Sequence, residues 1–172
     1  MAFNVQAFKS FTGDHLPATH YEVLMRPPTG GGNEISLRTE SISVPGTAYL
    51  SVDNYAPYGS GKLYNIPYRY NPQEIQMVHN IDKDANIIGI FRRWANLTVD
   101  LDGNAKYGAY YYEQYAQSDG DIKVYNRQSL VKTITLEKPF PINIEPIQMG
   151  WGQNDEIAKL AVSYRFTAYK VS

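Results

Sequence analysis

Cysteine is absent from the 172 residues. That excludes disulfides, thiolate metal sites and a cysteine nucleophile, and it fits a chain made in a reducing compartment. An excess of either charge is also missing. Sixteen Lys and Arg face seventeen Asp and Glu, for a formal net charge of -1. A nonspecific nucleic-acid binder is expected to carry a basic excess, and this chain has none. No run of about 18 apolar residues occurs, so no membrane anchor is expected. Met1–Thr12 has one Lys and no apolar core of signal-peptide length, so secretion by that route is not expected.

Histidine is scarce as well: His15, His20 and His79. None stands in a His-x-x-x-His or His-Glu-x-x-His arrangement, which argues against a zinc site. Asp82-Lys-Asp-Ala-Asn86 opens like a calcium loop. Ile87 then occupies the position that needs Gly, and Arg93 the position that needs Glu, so the segment reads as a helix start. Tyr58-Gly-Ser-Gly-Lys62 lacks the upstream Gly and following Ser/Thr of a phosphate loop. There is no Gly-x-Ser-x-Gly elbow. The expectations are therefore no enzymatic activity, no cofactor and no metal.

What is present in quantity is tyrosine, 15 of 172 residues. Its ring packs while its hydroxyl stays wet, which suits strands and interfaces alike. Patterns of period two predict strands at Tyr21–Met25, Ile35–Val44, Tyr49–Val52, Lys62–Tyr70, Gln73–His79, Ile122–Val124 and Leu130–Pro139. A long final strand is predicted to place Leu160, Val162, Tyr164, Phe166 and Ala168 on one face and Ala161, Ser163, Arg165, Thr167 and Tyr169 on the other. Pro139, Pro141 and Pro146 predict a connection. Residues 26–34, with Pro27-Pro28 and Gly30-Gly31-Gly32, predict a flexible loop. One helix is predicted over 82–96, capped by Asp82 or Asp84, with acid in its first turn and base in its last. Ile87, Ile90, Phe91 and Trp94 form its apolar stripe, which is expected to lid the end of a β-structure. The Tyr-dense stretch 106–118 reads as a loop or a second short helix. No repeat or low-complexity tract divides the chain, so 1–172 reads as one domain with an N-terminal arm at 1–19.

The C-terminal third carries a resemblance. Val131–Trp151 runs from an alternating strand through Pro139-Phe140-Pro141 to Ile144-x-x-Ile147-x-x-x-Trp151. Asn154-Asp-Glu-Ile157 then opens the final strand. Upstream, Leu37–Val52 holds a Pro45-Gly46 turn between two strand patterns, and Lys62–Asp82 and the Trp94 helix follow in order. This arrangement resembles the tail tube proteins of contractile-tailed bacteriophages. The resemblance implies a mainly β fold: a β-sandwich or small barrel with one flanking α-helix. It implies six copies per ring, with strands from all copies joining one inner barrel and a hairpin around Pro45-Gly46. The implied function is a major tail tube subunit whose stacked rings conduct DNA and the tape measure protein. Implied partners are its own copies, the sheath, baseplate and terminator proteins, with DNA passing unbound. The implied location is the virion tail, assembled in host cytoplasm. On this reading Glu40, Glu74 and Glu137 are expected to face the lumen. Phe3, Phe8, Phe11, Tyr49, Tyr55 and Tyr58 are expected to contact neighbouring subunits or rings. A tube initiator in the baseplate or the inner tube of a bacterial injection system fits the same resemblance. A Tyr-rich β-sandwich that binds carbohydrate fits the composition alone.

Overall fold

The computed structural model describes residues 16, 18–55, 63–72, 74–99, 111–150 and 157–172. Two four-stranded antiparallel sheets and a separate hairpin make up its β-structure. The first sheet orders β1 (Tyr21–Leu24), β6 (Gly120–Asn126), β7 (Ser129–Glu137) and β10 (Ala168–Val171). The second orders β2 (Thr39–Ile42), β5 (Ile75–Asn80), β9 (Lys159–Arg165) and β8 (Phe140–Ile144). The hairpin is β3 (Thr47–Tyr55) against β4 (Leu63–Pro72). Three helices accompany them: α1 (Gly32–Arg38), α2 (Asn86–Thr98) and α3 (Tyr112–Tyr115).

One core joins both sheets to the helices. Val23, Ile122, Ile134 and Leu136 come from the first sheet. Ile75, Met77, Leu160, Val162 and Tyr164 come from the second, and Ile87, Ile90, Phe91 and Trp94 from α2. The helix stripe is thus buried as its spacing predicts. So is the alternation of the last strand, since Leu160, Val162, Tyr164 and Phe166 are all at most 2% exposed.

His79 is sealed in this core, 0% exposed, with its ring 5.1 Å from that of Phe91. Its neighbours fix the tautomer. The Thr39 hydroxyl donates to the Ile35 carbonyl at 2.7 Å, so its oxygen is left to accept from Nδ1–H at 3.1 Å. Nε2 then stands as the acceptor toward the Tyr164 hydroxyl, 3.4 Å away. Burial lowers the imidazole to about 4, against the pull of the Ile35 carbonyl.

Several expectations are corrected. Ile35–Leu37 belongs to α1 and not to a strand. Ile35 is fully buried while Leu37 is 87% exposed, so the two point to opposite sides. Four residues are too few to separate a strand period from a helix period. The loop over 26–34 ends at Gly31, the residue before α1, and Gly31 and Gly32 are closely packed. Gly30 and Gly31 hold φ of 81° and 88°, and a Cβ on Gly32 would lie 2.3 Å from the Met25 carbonyl. The long helix starts at Asn86 behind Ala85, which has φ 53° and caps nothing with its side chain. Asp82 instead reaches past the end to accept the Ile87 N–H at 3.3 Å. There is no acid in the first turn of α2 and no base in its last. The helix also takes in Leu97 and Thr98, two residues past its predicted end.

The Pro45-Gly46 turn does not close a hairpin, because β2 pairs with β5 and β3 with β4. Phe140–Ile144 is a strand despite Pro141. It is tolerated at the edge, where the ladder shifts between Pro141 and Asn143. The last strand is in fact two. The chain leaves one sheet at Arg165 and joins the other at Ala168, with the Thr167 N–H donating to the Glu137 carbonyl at 3.0 Å. The Tyr-dense stretch contains the short helix α3, one of the two readings given for it, whereas α1 is a helix the sequence patterns did not predict.

Candidate assembly surfaces

The outward face of the β2-β5-β9-β8 sheet is built by the residues that alternate with the core. Ser41, Val78, Ala161 and Glu145 form one row across all four chain segments. Ser43, Gln76, Ser163 and Asn143 form the next. The central residues are small, and the Gln76 side chain lies across them to donate to Glu145 at 2.7 Å. Ion pairs close both ends of the face. Lys159 meets Glu40 at 2.7 Å, and Arg165 meets Glu74 at 2.6 Å. In and beside these rows, three carboxylates stand against two cations, and both cations are paired. The face is flat, polar and faintly acidic.

Two of the three glutamates singled out from sequence, Glu40 and Glu74, therefore sit at opposite ends of this face. Glu137 does not join them: it ends β7 on the other sheet and pairs with Lys170. Lys159, Arg165 and the serine row were not singled out. Their only sequence signal was parity with the buried residues of the same strands. A cleft of about 830 Å³ opens beside the Glu40–Lys159 end, between Asn80, Glu145 and the exposed Met149 and Ile157. Among the described residues, no three His, Asp or Glu side chains converge as a metal site would require.

The second surface is the hairpin. Among the described residues its strands pair only with each other, from Thr47 opposite Pro72 to Tyr55 opposite Leu63. Tyr49, Leu50, Val52, Ile66 and Tyr68 are all exposed on it, Tyr49 by 64% and Tyr68 by 65%. A two-stranded hairpin standing alone in water is marginal, and apolar residues on such an element mark a contact surface. It is tethered at its base. The Tyr70 ring lies 6.4 Å from Tyr49 and 6.5 Å from Tyr169, whose hydroxyl hydrogen-bonds the Thr47 hydroxyl. Tyr49 is thus placed on the hairpin as an exposed aromatic. The backbone of Tyr55 ends β3, whereas Phe3, Phe8, Phe11 and Tyr58 lie outside the described residues.

The third is an aromatic cluster. The rings of Tyr112, Tyr115 and Phe140 meet edge to face at 5.2–6.0 Å. The Trp94 indole N–H donates to the Tyr115 carbonyl at 2.8 Å, and the Tyr112 hydroxyl bonds Thr167 at 2.8 Å. These contacts bind α3 to the start of β8 and to the crossover between the sheets. Part of the tyrosine excess is thus structural.

Comparison with curated protein sequences returns no match. Among solved structures, the fold is similar to a chain of an extracellular contractile injection system sheath–tube complex in its extended state. That chain is 13% identical, with 99% of each chain covered and a TM-score of 0.65. It is also similar to a chain of the anti-feeding prophage baseplate (11% identical, 93% and 97% covered, TM-score 0.66). A third is a chain of an injection-system sheath/tube terminator (16% identical, 92% and 97% covered, TM-score 0.65). At such identities the likeness is one of fold. Residues 11–172, nearly the whole chain, match the phage tail tube protein family, so the chain belongs to that family and is a structural tube subunit.

Proposed function

We propose that the subunit is the repeating unit of a tube of stacked hexameric rings, with the outward face of the β2-β5-β9-β8 sheet lining the bore. The observation that carries this reading is the chemistry of that face. Its centre, Val78, Ala161, Gln76 and Ser163, carries no charge, and each cation on it is held within 2.7 Å by a carboxylate. A bore that passes DNA or a tape measure protein must not bind its traffic, and a wall with no free cation offers phosphate no grip. Among the described residues, no further strand flanks β2 or β8. Closing such sheets edge to edge around a ring removes exposed strand edges, which otherwise promote uncontrolled association. The hairpin is then the arm that reaches a neighbouring copy or ring.

The subunit acts without catalysis on this reading. Its core histidine, the side chain best suited to proton transfer, is buried behind Phe91 and Tyr164. A sheath surrounds the tube and a terminator and a baseplate close its ends, as the sheath–tube and terminator structures of similar fold suggest by analogy. Assembly takes place in the host cytoplasm and the product resides in the virion tail. A tube initiator or an injection-system inner tube would use the same surfaces.

Labelling tests the placement of the bore, since the chain has no cysteine of its own. Tubes of a Ser163→Cys variant, reacted with a small maleimide-gold cluster, should show label density inside the bore by electron cryomicroscopy. Density on the outer wall would assign the lining to another face.

A further inference from the structure

We infer that neighbouring subunits interlock through Val44 of one copy, seated in an apolar groove beside β8 of the next; the inference rests on the tube reading above. Three features of the structure carry it.

The first is strand polarity. β2, β5, β9 and β8 are each antiparallel to the next. The outer strands β2 and β8 therefore run in opposite directions. A second copy placed in the same orientation brings its β2 antiparallel to β8, and the hydrogen-bonding pattern of the sheet continues unbroken.

The second is a groove at one edge and a knob at the other. The groove, about 330 Å³, lies between the C-terminal turn of α2 and the β8 edge. Ala95, Thr98 and Val99 form one wall, and Pro141, Ile142 and Ile144 the other. Val99 and Ile142 are exposed within it by 52% and 39%. The Thr98 hydroxyl is buried there without a partner, a cost that a docked chain with a free polar group would relieve. At the opposite edge Val44 follows β2 and is 57% exposed.

The third is register. Ser43 stands level with Gln76, Ser163 and Asn143 in one outward row. Carrying the strand alternation one step past Ser43 gives Val44 the opposite parity, toward the α2 side of the sheet. It is level with the inward row of Ile75, Tyr164 and Pro141. A copy added in line with these rows brings Val44 against Ile142 and the end of α2, on the side where the groove opens. The β8 ladder shifts between Pro141 and Asn143, which leaves Ile142 as the extra residue at this edge.

Paired cysteines read the contact directly. In tubes of a Val44→Cys, Ile142→Cys double variant, mild oxidation should give a ladder of disulfide-linked species on a non-reducing gel. The ladder should end at the copy number of one ring. Disulfides form only where Cα atoms approach within about 7 Å. Each single variant should give no ladder, and neither should Val131→Cys with Ile142→Cys, because Val131 lies on β7 of the other sheet. Val44→Asp should stay folded, with an unchanged circular dichroism spectrum, and lose at least 90% of sedimentable tube. Tubes that form normally in the double variant yet never cross-link would overturn the interlock and leave the tube reading standing. A wild-type chain that never assembles would overturn both.

Discussion

Val162→Asp is expected to yield no soluble folded subunit. Val162 is 0% exposed in β9, between Met77 of β5 and Ile144 of β8. Its side chain meets the core that α2 and both sheets share. An ionised carboxylate there has no cation within the core, and burying one unpaired costs several kcal/mol. Losing the apolar packing of the valine adds about 1–3 kcal/mol. A domain of this size has about 5–15 kcal/mol to lose. The control is one residue away. Ser163→Asp places the same charge on the outward face, beside Asn143 and Gln76, and should fold. The soluble fraction and the circular dichroism spectrum of the two variants decide the strand parity. Soluble, native-like Val162→Asp would show the register to be wrong.

The second large effect is acid sensitivity from one imidazole. His79 is neutral in the core with its pKa lowered to about 4, against about 6.5 when unfolded. Above pH 6.5 neither state binds the proton and the group is silent. Between pH 6.5 and 4 the unfolded chain takes up a proton that the folded one refuses, so stability falls as pH falls. Below 4 the loss is complete, at about 3 kcal/mol. Urea midpoints of unassembled subunit measured from pH 7.5 to 4 should show this slope. His79→Gln removes the titration and should flatten the profile across that window, whatever it does to stability at pH 7. Parallel profiles for the two proteins would place the histidine in contact with water.

The parts of this fold that were legible in sequence are those whose burial is decided locally. Ile87, Ile90, Phe91 and Trp94 declare one helix face by spacing alone. Leu160, Val162 and Tyr164 declare one sheet face in the same way. The misread parts depend on contacts between distant segments. Alternation continues from Phe166 to Ala168 while the chain changes sheets, because parity does not record which strand lies alongside. Pro45-Gly46 does separate two strands, yet β2 finds its partner in β5, more than thirty residues on. The glycines at 30–32 read as slack, yet Gly31 and Gly32 are required by the approach of Ile90 and Met25, and Gly30 by its positive φ.

The candidate surfaces divide along the same line. Glu40 and Glu74 could be named as acidic residues on middle strands. Their pairing with Lys159 and Arg165 needs the register of four strands, and it changes the face from acidic to nearly balanced. Glu137 carries the same local pattern and lies on the other sheet. Tyr49 was named from its strand pattern, and it stands exposed on the hairpin. The interlock at Val44 was not legible, since its groove is assembled from α2 and β8, nearly fifty residues apart.

Negative-stain electron microscopy of the purified wild-type chain bears most directly on all of this. The account predicts hollow tubes or short stacks of one constant bore, with sixfold end views. A protein that remains a compact single particle at every concentration and salt, with no tendency to close into rings, would contradict it.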